Sequence, residues 1–147
     1  MSVEMLAPAA VLVAWTLVVQ LWMTVTRFPA LAAAEIDLKS AKPGGRGLDL
    51  EGVLPDKVMW KSHNYTHLME QPTIFYALVA ILAIAGATEG DVALAWAYVG
   101  IRIVHSFWQV LVNRIPVRVV LFALSSAVLI ALAIRALFVT LTPILPL

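Results

Sequence analysis

The chain contains no cysteine. That excludes disulfides, thiolate metal sites and a cysteine nucleophile, so any thiol chemistry has to arrive on a bound molecule. Charge is scarce as well: 13% of the 147 residues are Asp, Glu, Lys or Arg, against roughly 25% in soluble domains. Ten basic and nine acidic residues leave a formal charge of +1, with no excess to attract nucleic acid. No stretch shows the period-two alternation of a barrel strand. The N-terminal segment "MSVEMLAPAAVLVAW" has Glu4 but no Lys or Arg ahead of its apolar run. A secretory signal requires a basic start and a small-residue cleavage site, so this segment is expected to be a retained helix.

Apolar residues fill the space left by charge. They make up 62% of the chain, and the mean hydropathy is +0.92. The length corresponds to one domain, and the composition to one that sits in a membrane. Crossing the hydrocarbon core takes about 20 apolar residues in helix. Four segments meet that requirement: about residues 5–25, 60–84, 92–112 and 117–141. The links after the second and third are short, "GATEGD" and "NRIP", and short links favour antiparallel neighbours. The predicted fold is therefore an all-α integral membrane protein, a four-transmembrane-helix up-down bundle.

The one long polar connection covers about residues 27–59. Pro43-Gly44-Gly45 marks a turn in it, and "ALAAAEIDLK" (residues 30–39) is expected to form a short interfacial helix. It holds Arg27, Lys39, Lys42, Arg46 and Lys57, with Lys61 just beyond, while the third link adds Arg114 and Arg118. The second link has only Glu89 and Asp91. The bias of basic residues places both basic connections in the cytoplasm and both termini outside. A bacterial inner membrane, with periplasmic termini, is the natural setting. Arg135, near the outer end, is the exception.

Polar residues also occur at membrane depth. In "SHNYTHLMEQPTIF", His63, His67 and Glu70 fall at i, i+4 and i+7 and share one helix face. Pro72 follows, without an N–H, and is expected to kink the helix just past Glu70. In "IRIVHSFWQVLVNR", Arg102, His105 and Gln109 again share a face. A lone arginine at the centre of a spanning helix costs about 2.5–3.5 kcal/mol. Glu70 is the one carboxylate within a spanning segment, so a Glu70–Arg102 pair is expected, with a neutral histidine beside it. Three roles are open to the cluster. It can fasten helices, at about 0.6 kcal/mol per interhelical hydrogen bond. It can bind a ligand, the default for intramembrane ionisable groups. It can also hold a metal through the HxxxH pair, although neither HExxH nor a second Glu-x-x-His is present.

These residues resemble the MAPEG family, the membrane-associated proteins in eicosanoid and glutathione metabolism. The likeness is strong from about Trp60 to Leu137 and weaker over the first helix. It looks closest to a bacterial branch whose second helix reads Asn-x-x-Asn-x-x-Glu-x-Pro-x-x-Phe-Tyr, here Asn64, His67, Glu70, Pro72, Phe75 and Tyr76. The third helix matches Arg-x-x-His-Ser at Arg102, His105 and Ser106, and runs ungapped through Asn113 and Arg114 to Arg118. The resemblance implies a homotrimer with glutathione held between adjacent subunits at the cytoplasmic end. It also implies that Arg118 is the catalytic cation that stabilises the glutathione thiolate, since a nearby positive charge lowers a thiol's pKa. The cofactor-binding set it implies is Arg27, on a glutathione carboxylate, with His67, Glu70, Arg102, His105, Gln109 and Arg114; no metal is expected.

The sequence departs from glutathione-using members at four positions: His63 and Thr66 replace arginines, His67 an asparagine and Gln109 a tyrosine. Those losses remove anchors for a dianionic peptide. The expected function is a glutathione-dependent transferase or peroxidase acting on hydrophobic electrophiles from the lipid. The alternatives are a non-catalytic protein of the same fold that binds lipid or joins another membrane complex, and a small metal- or quinone-binding subunit. Membrane lipids are expected partners in every case, and nucleic acid in none.

Overall fold

The computed structural model describes residues 3–36 and 42–142. Four long helices follow a short 3-10 turn: α1 (Leu6–Ala33), α2 (Asp56–Ala85), α3 (Glu89–Leu111) and α4 (Ile115–Leu141). Their junctions have local causes. α2 ends at Gly86, whose φ of 105° lies in the left-handed region that favours glycine. α3 begins on a reciprocal cap. Thr88 Oγ1 accepts the Asp91 N–H, and Asp91 Oδ2 accepts the Thr88 N–H at 2.9 Å. After α3 the chain turns at Asn113, φ 55°, a conformation asparagine tolerates better than most residues. Pro116 then sits in the first turn of α4, where a missing N–H costs nothing.

Two expected boundaries move. α1 does not stop near Val25 but continues through Arg27 and Pro29 to Ala33. The first part of "ALAAAEIDLK" is therefore the last turn of α1, closed by Glu35 at φ 54°; the rest of that expected interfacial helix, with Lys39, lies outside the described residues. α2 starts four residues before Trp60, at Asp56. It runs unbroken through buried Pro72, where the Leu68 carbonyl loses its helical donor. The turn expected at Pro43-Gly44-Gly45 is formed, with Gly44 at φ 83° and the Gly45 N–H bonded to the Lys42 carbonyl.

α2 and α3 form the middle of the bundle. α1 packs on α2 and α3, α4 packs on α3 and α2, and the two outer helices scarcely touch. One apolar core joins all four through Leu12 and Val19, Phe75 and Leu82, Tyr98 and Val99, and Leu129 and Leu132. Phe75 and Tyr98 stack at its centre, with ring centroids 4.4 Å apart. Outward-facing Leu17, Leu21, Ile130, Leu137 and Phe138 leave an apolar surface that suits lipid tails rather than water.

Three helices, rather than the four expected, are both long and apolar enough to cross a membrane: Val3–Ala33, Asp56–Ala85 and Ile115–Leu141. α3 has the length, about 34 Å at 1.5 Å per residue, but Arg102, His105 and Gln109 dilute its apolar run. All three are buried against other helices, so α3 meets lipid with its apolar side and keeps its polar side within the protein.

Candidate functional site

The polar residues at depth sort into two kinds. The first kind is engaged in hydrogen bonds between helices, with only Asn64 Oδ1 left open. Gln71 on α2 accepts from Tyr98 of α3 at 3.2 Å and Ser125 of α4 at 3.3 Å, and donates to Ser126 at 2.8 Å. Ser106 on α3 accepts from Asn64 of α2 at 2.6 Å and from the Trp15 indole of α1 at 3.0 Å. Near the α2–α3 link, Asp91 takes a bidentate contact from Arg135, Nε–Oδ1 2.9 Å and Nη2–Oδ2 3.3 Å. That pair gives the basic residue that breaks the orientation pattern a structural reason to be there. These nodes tie every helix to another, and sequence reasoning missed all of them as nodes. The only available signal for Gln71 was its position one turn beyond His67.

The second kind surrounds a groove at the long-loop end of the bundle. One lobe, about 310 Å³, is lined by His67, His105, Ile115, Arg118, Val119 and Phe122. The adjoining lobe, about 380 Å³, is lined by Leu48, Glu51, His63, Thr66, Glu70 and Gln109, again with His67 and Arg118. His67 and Arg118 therefore stand between a mostly apolar lobe and a more polar one. Arg118 comes from the first turn of α4. Its Nη1 donates to Asn113 Oδ1 at 2.9 Å, so the left-handed turn at Asn113 also aims the guanidinium, and its Nε has no partner among the described residues.

The expected Glu70–Arg102 pair is not formed. Arg102 is fully buried and turns to His67, with Nη2 2.8 Å from the backbone carbonyl and 3.3 Å from Nδ1. Glu70 lies about 60° round α2 from His67, three residues on at about 100° each, and faces out of the bundle. A neutral carbonyl and imidazole thus take the place of a carboxylate that would need full desolvation to enter the seam. Arg102 Nε and Nη1 and Gln109 Oε1 are buried without partners. His105, 2% exposed, contacts the His67 ring with centroids 4.8 Å apart, and Phe122 approaches the same ring at 5.6 Å.

The HxxxH pair diverges. His63 Nε2 lies 2.8 Å from Glu51 Oε1 in the long connection, whereas His67 faces Arg102. No cluster of three His, Cys, Asp or Glu suited to a metal occurs among the described residues. Of the residues singled out from the sequence, the groove thus gathers His67, Glu70, His105, Gln109 and Arg118, with Arg102 behind His67. Arg27 and Arg114 are not among its lining residues. Arg27 binds the connection, donating from Nη2 to Gly47 O at 3.2 Å and Ser62 Oγ at 3.1 Å. A Cβ at Gly47 would sit 3.0 Å from that guanidinium, so a glycine is what lets the loop come so close. Arg114 is exposed, and its carbonyl accepts from Trp108 at 3.2 Å. Leu48 and Glu51, from the same loop, are lining residues that the sequence did not reveal, because a fold-back loop has no periodicity.

A four-helix integral membrane protein with a partly polar groove at one end is the class these observations define. Residues 5–138 match the model of the MAPEG family, and the chain belongs to that family. No curated protein and no solved structure matches it.

Proposed function

We propose that the protein is a glutathione-dependent membrane enzyme, a transferase or peroxidase that presents the glutathione thiolate to hydrophobic electrophiles from the lipid. The observation that carries this reading is the placing of Arg118 between the two lobes. A cation there stabilises a thiolate relative to the thiol, while Ile115, Val119 and Phe122 offer the neighbouring lobe to an apolar electrophile. His67, Gln109 and Glu70 supply polar contacts for the peptide in the second lobe. Glu70 supports a second part of the reading. An outward-facing carboxylate at bilayer depth is costly against lipid, and a homotrimer that seats another copy over that face removes the cost. The basic long connection supports a cytoplasmic groove and periplasmic termini in a bacterial inner membrane.

Isothermal titration of the purified protein with glutathione tests the reading. Saturable heat that disappears in Arg118→Ala is the expected result; no binding at millimolar glutathione by the folded protein overturns it. Light scattering on the detergent-solubilised protein decides the trimer.

One observation favours a second reading, a non-catalytic member that binds lipid or another membrane protein. Arg118 is the single permanent cation among the lining residues of both lobes, and Glu51 and Glu70 line the polar one. A tripeptide with two carboxylates finds few countercharges there. Stoichiometric co-purified lipid in the groove, together with no response to glutathione, would promote this reading.

A further inference from the structure

We propose that Arg102 acts on the site through His67, holding its imidazole as a neutral donor with the proton on Nε2, rather than by touching a bound molecule. Arg102 is fully buried and lines neither lobe. Its Nη2 meets both the carbonyl and Nδ1 of His67. A guanidinium can only donate, so the Nδ1 lone pair is the acceptor and the ring proton belongs on Nε2. The other tautomer, or the imidazolium, would set an N–H against the guanidinium and lose the hydrogen bond. His105 and Phe122 fix the plane of the ring from the sides. No side chain among the described residues hydrogen-bonds Nε2, and His67 is one of the two residues shared by both lobes.

Such a histidine offers a fixed N–H to an anionic acceptor in the groove. The acceptor that fits beside Arg118 is a thiolate sulfur, and this part rests on the glutathione reading. Two donors from different helices, His67 on α2 and Arg118 on α4, then share one anion. His67 gives a hydrogen bond and does not take the thiol's proton, which leaves to water. An asparagine side chain can make the same donation without titrating, whereas a general base cannot be replaced in that way.

The test begins without ligand. The chain has three histidines, so nitrogen-15 NMR of histidine-labelled protein in lipid nanodiscs can be assigned by the loss of one signal in His67→Asn. At neutral pH, His67 should show a protonated Nε2 and a bare Nδ1. In Arg102→Met the ring should become a mixture of both tautomers. A protonated Nδ1 in the wild-type protein overturns the proposal, and so does an unchanged His67 signal in a folded Arg102→Met. Should that variant fail to fold, the wild-type spectrum still decides the tautomer. Glutathione titration then separates donor from base. His67→Asn should keep the affinity within about threefold and His67→Leu should lose about tenfold, the scale of one hydrogen bond to a charged group. Equal losses in the two variants overturn the donor role. A protein that binds no glutathione but shows the fixed tautomer overturns the function proposed above and leaves the Arg102–His67 link standing.

Discussion

The half of the bundle near the α2–α3 link and the half near the long loop both contain buried polar groups, but they treat them in opposite ways. In the first, Asp91 and Gln71 have their hydrogen-bonding capacity taken up by Thr88, Arg135, Tyr98 and the α4 serines. In the second, Arg102, Gln109 and Arg118 keep atoms without partners, and Glu70 faces outward. Burial of a polar atom without a partner costs about 1–3 kcal/mol. Asn64 and Arg27, which tie helix to helix and helix to loop, bear that cost at one atom each, so an open atom marks a ligand site only where its residue also lines the groove, as Gln109 and Arg118 do.

That contrast can be tested by substitution on each side. The largest effect is expected at the open end. Arg118→Ala should weaken glutathione binding about a hundredfold, close to 2.7 kcal/mol, with no change in the thermal unfolding of the free protein. Gln71→Leu should do the reverse. It strands the Tyr98 hydroxyl and should lower stability by about 1–2 kcal/mol, read as a lower Tm, with glutathione affinity unchanged; a loss of affinity would blur the division. Thr88→Ala removes one side of the α3 cap and should cost about 1 kcal/mol, again without touching binding. The smallest effect belongs to Glu51→Gln. It removes the charge from a half-exposed contact with His63 of a kind worth about 0.2–1 kcal/mol, and should appear, if anywhere, in proteolysis of the loop.

Much of the scaffold was legible because its causes are local. Apolar runs long enough for a bilayer marked four helices, and "GATEGD" and "NRIP" marked tight reversals. The two polar faces, His67 with Glu70 and Arg102 with Gln109, could be read from a period of 3.6. The choice of partners could not. Whether Arg102 meets Glu70 or His67 depends on a rotation of about 60° about α2, and periodicity does not fix the angle between two helices to that accuracy. α1 reads too short in the sequence because the charge of Arg27 looks like an ending. At the loop side of the bundle, Leu31, Leu54 and Met59 form a second small core that keeps the helix going past them. The loop's lining residues were invisible for a different reason. Arg27 and Gly47 meet across 20 residues, and nothing in the intervening chain signals the encounter.

The pairing of α3 with α4 has a consequence for how the protein reaches its membrane. α3 is the one helix too polar to qualify by itself as a membrane span, and its contacts with α4 are the most extensive in the bundle. Arg135 meets Asp91 at the far end, so the two helices bring opposite charges together there. The α3–α4 hairpin, rather than α3 alone, is therefore the unit expected to be stable in a bilayer. A chain cut after Val112 should leave α3 poorly inserted, and restoring α4 should rescue it, as read by modification of an acceptor site placed in the α2–α3 link.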